Sequence, residues 1–130
     1  MTLLGIDYGS KNVGIAISHG TGFAVPYKVL ENTVFLVGAI SAICAKEGVE
    51  RIIIGESHDF HGRPNPINKK IIEFSKMLHQ KTKIPLMFQG ETLTTQEAKR
   101  IQGKGKGIDA SAAALILRSY MEKENGMKKV

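Results

Sequence analysis

The chain has 130 residues, with 18 Lys and Arg against 12 Asp and Glu, a formal net charge of +6 and one cysteine. That length predicts one domain, residues 1–130, able to bury about two-thirds of the surface of its unfolded form without a staple. The lone Cys44 excludes an internal disulfide and fits a reducing compartment. With no basic n-region, no secretory h-region and no apolar run near the ~18 residues of a membrane span, the expectation is a cytoplasmic protein without a membrane partner. The positive balance fits either a polyanionic partner such as nucleic acid or a solvated lysine-rich surface.

Leu3 to Ser18 reads LLGIDYGSKNVGIAIS. Leu3, Leu4 and Ile6 form an apolar run ending at Asp7, Tyr8 to Asn12 supplies turn chemistry, and Val13 to Ile17 is a second β-rich run. Together they predict an antiparallel hairpin. Phe23 to Leu30 predicts a third strand, placed at an edge by Pro26, which has no N–H to give a ladder. Asn32-Thr33 offers an N-cap to a helix whose Leu36, Val37, Ile40, Ile43 and Cys44 share a face, and Gly48 offers its stop.

Arg51 to Gly55 is a continuous β-branched run, expected of a strand covered on both faces, and it ends at Glu56. A polar loop follows, and Asn65-Pro66 predicts a helix start with Ile67, Ile71, Phe74, Ser75 and Leu78 on the buried side. Pro85 to Phe88 is a short fifth strand that breaks into Gln89-Gly90-Glu91. Thr94 to Glu97 fits a capping box and opens a further helix. Gln102 to Gly107 reads as a flexible basic loop, Asp109 to Ala112 as the start of the last helix, and Glu122 to Val130 as a fraying tail. The order β-β-β-α-β-α-β-α-α predicts an α/β fold, a five-stranded mixed sheet with helices on both faces.

The crossover needs the first and fourth strands side by side, so Asp7 and Glu56 end parallel neighbours on one rim. Glu91 follows the fifth strand on that rim, and Asp109 opens a helix that can pack back over the sheet. Ligands collect outside the carboxyl ends of strands in such sheets. An ionised carboxylate is costly to bury unless paired, and adjacent carboxylates repel unless a divalent cation holds them. Asp7, Glu56, Glu91 and Asp109 are therefore the candidate catalytic acids, with Asp7, Glu56 and Asp109 as metal ligands. Their hard oxygens favour Mg²⁺ or Mn²⁺ over zinc. Such a set suits two-metal phosphodiester hydrolysis with the ions ~3.5–4 Å apart. Lys11, Lys99, Arg100, Lys104 and Lys106 are candidates to hold the phosphates of a nucleic acid without reading its sequence.

Each acid has a plainer reading as well. Asp109 has the place of a helix N-cap, and Glu56 and Glu91 have that of solvated loop acids. His58-x-x-His61 with Asp59 hints at zinc, but no cysteine or further histidine completes a set; a histidine near the rim can still serve proton transfer. Gly103-Lys104-Gly105-Lys106-Gly107 lacks the spacing and hydroxyl of a Walker loop, and Gly5, Gly9 and Gly14 do not make the dinucleotide fingerprint. Gly-Ile-Asp-x-Gly before a strand also opens sugar kinases and actin-like ATPases, which need two such domains and a longer chain.

The opening LLGIDYGSKNVGIAIS, Ile52-Ile53-Ile54-Gly55 before a polar loop, Glu91-Thr92-Leu93-Thr94-Thr95-Gln96-Glu97-Ala98 and Ile108-Asp109-Ala110-Ser111-Ala112-Ala113 resemble the YqgF/RuvX family in order and spacing. The resemblance implies an RNase H-like fold and a bacterial cytoplasmic nuclease. It also implies a role in processing the precursor of small-subunit ribosomal RNA, or in Holliday junction resolution, and a homodimer. Asp7 and Asp109 match the family's first and last acids. Where the family usually has Asp-Glu-Arg, this chain has Gly90-Glu91-Thr92. The departure keeps a catalytically silent nucleic-acid-binding relative as the alternative. Glu56, at the end of the fourth strand where other RNase H-like resolvases place an acid, is the expected substitute ligand, with or without Glu91.

Overall fold

The computed structural model describes residues 1–20, 22–56, 67–90 and 106–128, with the backbone alone at 56, 67–68, 90, 106–109 and 124–128. The strands are β1 (Leu3–Tyr8), β2 (Asn12–Ser18), β3 (Val25–Glu31), β4 (Arg51–Glu56) and β5 (Leu86–Gly90). The helices among the described residues are α1 (Leu36–Glu47), α2 (Ile67–Thr82) and α3 (Lys106–Lys128). The sheet runs in the order β3-β2-β1-β4-β5. β1 pairs antiparallel with β2 and parallel with β4, while β5 pairs parallel with β4. This is the mixed sheet that the strand order predicts, with the crossover strand beside β1.

The pleat divides the core into two layers. Leu4, Ile6, Val13, Ile15, Ile17, Ile52 and Ile54 face α1 and α2, where they meet Leu36, Ile40, Cys44, Ile71, Phe74 and Leu78. Leu3, Ala16 and Ile53 face α3, where they meet Ala113, Ile116, Leu117 and Tyr120. Both faces of β4 are thus covered, which explains its unbroken isoleucine run. Cys44 is a buried core residue, and burial pushes its thiol from near 9 to about 11.

Gly5 sets how closely α3 lies on the sheet. A Cβ there would stand 2.8 Å from the Ala113 carbonyl oxygen and 3.0 Å from the Leu117 Cβ. At the other end of the helix an Arg51 Nη donates to the Tyr120 hydroxyl at 2.5 Å. Since Tyr120 meets the first residue of β4 and Ala113 lies over the middle of β1, α3 runs opposite to both strands. Its N-terminal turn heads for the rim where β1 and β4 end.

Several boundaries differ from the sequence reading. β3 occupies the expected edge, shifted to Val25–Glu31, and its register slips so that Ala16 faces Pro26 and Ile15 faces Lys28, leaving Tyr27 as the extra residue of a bulge. Asn32 and Thr33 do not cap α1. Its N-cap is Phe35, which has no capping side chain, while Thr33 Oγ1 accepts from the Phe35 N–H at 3.2 Å. Gly48 ends α1 at φ 67°, in the left-handed region. β5 continues through Gln89 and Gly90, where the sequence predicts a break. α3 begins at Lys106, so Lys106 and Gly107 are helical and Asp109 sits within the first turn, not at the N-cap. The tail from Glu122 is helical as far as Lys128, because it prolongs a helix anchored by its apolar face. The expected N-cap at Asn65-Pro66, the helix from Thr94 and the basic loop from Gln102 to Gly105 lie outside the described residues.

Candidate active site at the carboxyl rim of the sheet

Alternation along β1 puts Asp7 on the side of Leu3 and Gly5, the face covered by α3. Its residue is only 7 % exposed. Across the ladder Asp7 pairs with Gly14 of β2. On the other side Ile6 pairs with Ile54, so Gly55 is the next residue of β4 alongside Asp7. Both glycines are buried. Among the described residues, the two strand positions flanking Asp7 in the sheet are thus both glycine.

Asp109 approaches from the helix. It lies four residues before Ala113, about 6 Å along the axis at 1.5 Å per residue. Asp7 lies two residues beyond Gly5, about 6.6 Å along the strand. Ala113 and Gly5 touch, and the helix runs antiparallel to the strand, so both backbones reach the same rim on the same face. The small residues Gly5, Ala16, Ala112 and Ala113 allow this approach.

Glu56 is the last residue of β4 and pairs with Gly90 of β5, so the rim also holds Glu56 and the point from which the chain continues to Glu91. By parity along β4, Gly55 goes with Ile53 of the α3 layer. The side chains of Glu56 and Asp109, and all of Glu91, His58, His61, Lys99, Arg100 and Lys104, lie outside the described residues. Lys106 is placed by its backbone as the first residue of α3. Among the described residues alone, no group of three His, Cys, Asp or Glu side chains could hold a metal ion. Lys11 is exposed in the β1–β2 turn.

One contributor escaped the sequence reading. Asn32 Nδ2 donates to the Gly9 carbonyl at 2.7 Å, and the Asn32 N–H donates to the Lys11 carbonyl at 2.9 Å. These bonds fasten the turn that follows Asp7 and presents Lys11. The partner is 23 residues away in sequence, so local capping chemistry gave no signal for it.

A five-stranded mixed sheet in the order β3-β2-β1-β4-β5, with α3 packed back across β1, defines the class as an RNase H-like α/β fold. Solved structures carry the same fold. Thermus thermophilus RuvC in complex with a Holliday junction substrate matches with a TM-score of 0.65 at 15% identity, covering 97% of each chain. The fowlpox virus Holliday junction resolvase matches with a TM-score of 0.57 at 17% identity, covering 95% of this chain and 99% of the other. In sequence, a protein named "Putative pre-16S rRNA nuclease" from Caldanaerobacter subterraneus is 33% identical over 95% of this chain and 98% of its own length. Its namesake from Desulforudis audaxviator is 31% identical over 93% and 94%. A family model described as "RuvX: Holliday junction resolvase" matches residues 1–123. The chain belongs to the RuvX family and is a hydrolase acting on the ester bonds of nucleic acid. No helix among the described residues is long and apolar enough to cross a membrane.

Proposed function

We propose that the chain is a Mg²⁺- or Mn²⁺-dependent endonuclease of the cytoplasm that cuts structured nucleic acid. Its substrates are the 5′ end of precursor 16S ribosomal RNA, four-way DNA junctions, or both. The observation that carries this is the buried Asp7 between Gly14 and Gly55, on the rim to which α3 returns Asp109. The donor chemistry fits the ion, since oxygens of aspartate and glutamate are what a hard divalent cation takes. Asp7 and Asp109 would hold the metal, with Glu56 as third ligand and Glu91 as its competitor for that place. When bound, such ions lower the pKa of an attacking water and neutralise charge on the phosphoryl oxygens and leaving oxygen.

The protein's own part is positioning. Gly5 keeps α3 close enough for the two aspartates to act together. Lys11, Lys99, Arg100, Lys104 and Lys106 hold flanking phosphates, which fixes register without choosing sequence. A homodimer would supply two sites related by a two-fold axis, the symmetry that paired nicks in a junction require.

A second reading, a silent nucleic-acid-binding relative, draws support from Gly90 and Thr92, which replace the acid and arginine usual in the family. Cleavage assays with Mg²⁺ and Mn²⁺ on precursor ribosomal RNA and on four-way junctions separate the two. Wild type should cut at least one substrate, and Asp7→Asn should cut it at least ~100-fold more slowly, since even losing a residue that only orients a metal ligand costs 10–100-fold. No cutting by wild type would favour the silent relative, and equal turnover by both proteins would remove Asp7 from the catalytic set. Glu56→Gln and Glu91→Gln then assign the third ligand by which one abolishes cutting.

A further inference from the structure

Opposite Asp7 across the same strand end lies a cavity of about 520 Å³ between the start of α1 and α2. We propose that this cavity is a nucleobase pocket, which takes one unstacked base of the strand whose phosphate lies at the carboxylate rim. The proposal rests on the reading of the chain as a nuclease and adds a subsite on the other face of the sheet.

The floor is aromatic. Tyr8, the residue after Asp7, lies against Phe74 of α2 with ring centroids 4.9 Å apart and planes tilted by 38°. Val34 and Met77 form apolar walls, and both remain exposed, at 91% and 54%. Phe35, next to the wall, is 77% exposed as well. Large apolar side chains left open around a concavity mark a binding site more often than a resting surface. Polar groups stand where a base edge would need them. Thr33 contributes a hydroxyl whose oxygen already accepts from Phe35 and whose hydrogen remains to donate, and Glu73 contributes an acceptor. Lys70, also on the lining, can take the phosphate of the same nucleotide.

Size and place agree with this occupant. The volume lies in the range of small-molecule sites, ~300–1,000 Å³, and a flat, partly polar base suits an apolar floor with a few polar edges. Tyr8, which lines the pocket, directly follows Asp7, so a nucleic-acid backbone crossing the rim at Asp7 passes beside the pocket. A base there need not be read, because every base has a face that can stack on an aromatic ring.

The test is a double comparison by equilibrium binding in EDTA. The probes are a short single-stranded oligonucleotide of mixed sequence and its fully abasic counterpart of equal length and charge. The proteins are wild type, Val34→Glu and Met77→Glu, both altered at exposed positions so that folding is preserved, as a thermal melt of each will show. Added charge weakens binding of both probes alike; only the preference for the base-bearing probe reports the pocket. Wild type should prefer that probe, and the preference should fall by about 5- to 150-fold in both variants, the range one base–aromatic stack carries. An undiminished preference in the folded variants would overturn the proposal. So would a change in sedimenting mass without a change in preference, which would make the cavity a contact between copies. The cleavage assay on wild type stands apart: cutting with an undiminished preference removes the pocket and leaves the nuclease, and no cutting removes the nuclease reading whatever the binding shows.

Discussion

At the scale of single residues, two glycines separate what holds the fold from what holds the site. Gly48 needs its left-handed φ of 67°, and a Cβ there meets nothing. Gly48→Ala should cost about 1 kcal/mol through backbone strain alone, seen as a lower urea midpoint at unchanged m, with cleavage intact in native conditions. Gly5 has an ordinary backbone but no room. Gly5→Ala should cost about 1–3 kcal/mol and push α3 outward, separating Asp109 from Asp7. Its cleavage rate should fall well beyond what the loss of stability explains, and stability melts beside turnover assays will check the contrast. Cys44 gives a pH prediction. Its thiol titrates near 9 when unfolded and about 11 when folded, so the folded state keeps the proton longer. That contribution is complete below pH 9 and is lost as the pH climbs toward 11, and native protein should resist thiol reagents at pH 8 that label it rapidly in urea.

At the scale of elements, the strands and the stop of α1 at Gly48 were legible, and the starts of α1 and α3 were not. Alternation and β-branching gave the hairpin and the doubly covered β4, because the side-chain period of 2 and the burial of each face are written in the same residues, and Pro26 gave the edge position of β3. The parallel pairing of β1 with β4 followed from the connection rule. Capping misled in two places. Asn32 chose a carbonyl in the β1–β2 turn over its own helix, and α3 began three residues before Asp109. The first outcome depends on a partner 23 residues back along the chain, which a local motif cannot show. Asn32→Ala should therefore cost about 1 kcal/mol and loosen the turn carrying Lys11, weakening nucleic-acid binding, while α1 helicity stays unchanged. The layer to which Asp7 belongs was hidden for the same reason: which face α3 covers is settled by the close approach at Gly5, a fact of packing.

At the scale of the whole molecule, the charge of +6 and the rim of carboxylates act at different ranges. On the proposed function, the basic residues would draw in any nucleic acid, and the acids, with their cations, would decide what happens to it. Binding should then weaken linearly in log salt, and Lys106→Ala should weaken it uniformly across sequences and reduce the slope by about 1, as each phosphate contact contributes one counterion. The sequence made the acids visible one by one, and the fold explains how two of them, 102 positions apart in number, come to one edge of the sheet.

That convergence is tested most directly by Mn²⁺ binding, followed by electron paramagnetic resonance in wild type, Asp7→Asn and Asp109→Asn, with folding checked by circular dichroism. If the two aspartates grip the same ion cluster, each single variant will lose Mn²⁺ affinity by at least ~10-fold, and the double variant will lose little more than either alone. Unchanged affinity in both folded variants, or losses that simply add, would contradict a shared metal site at this rim.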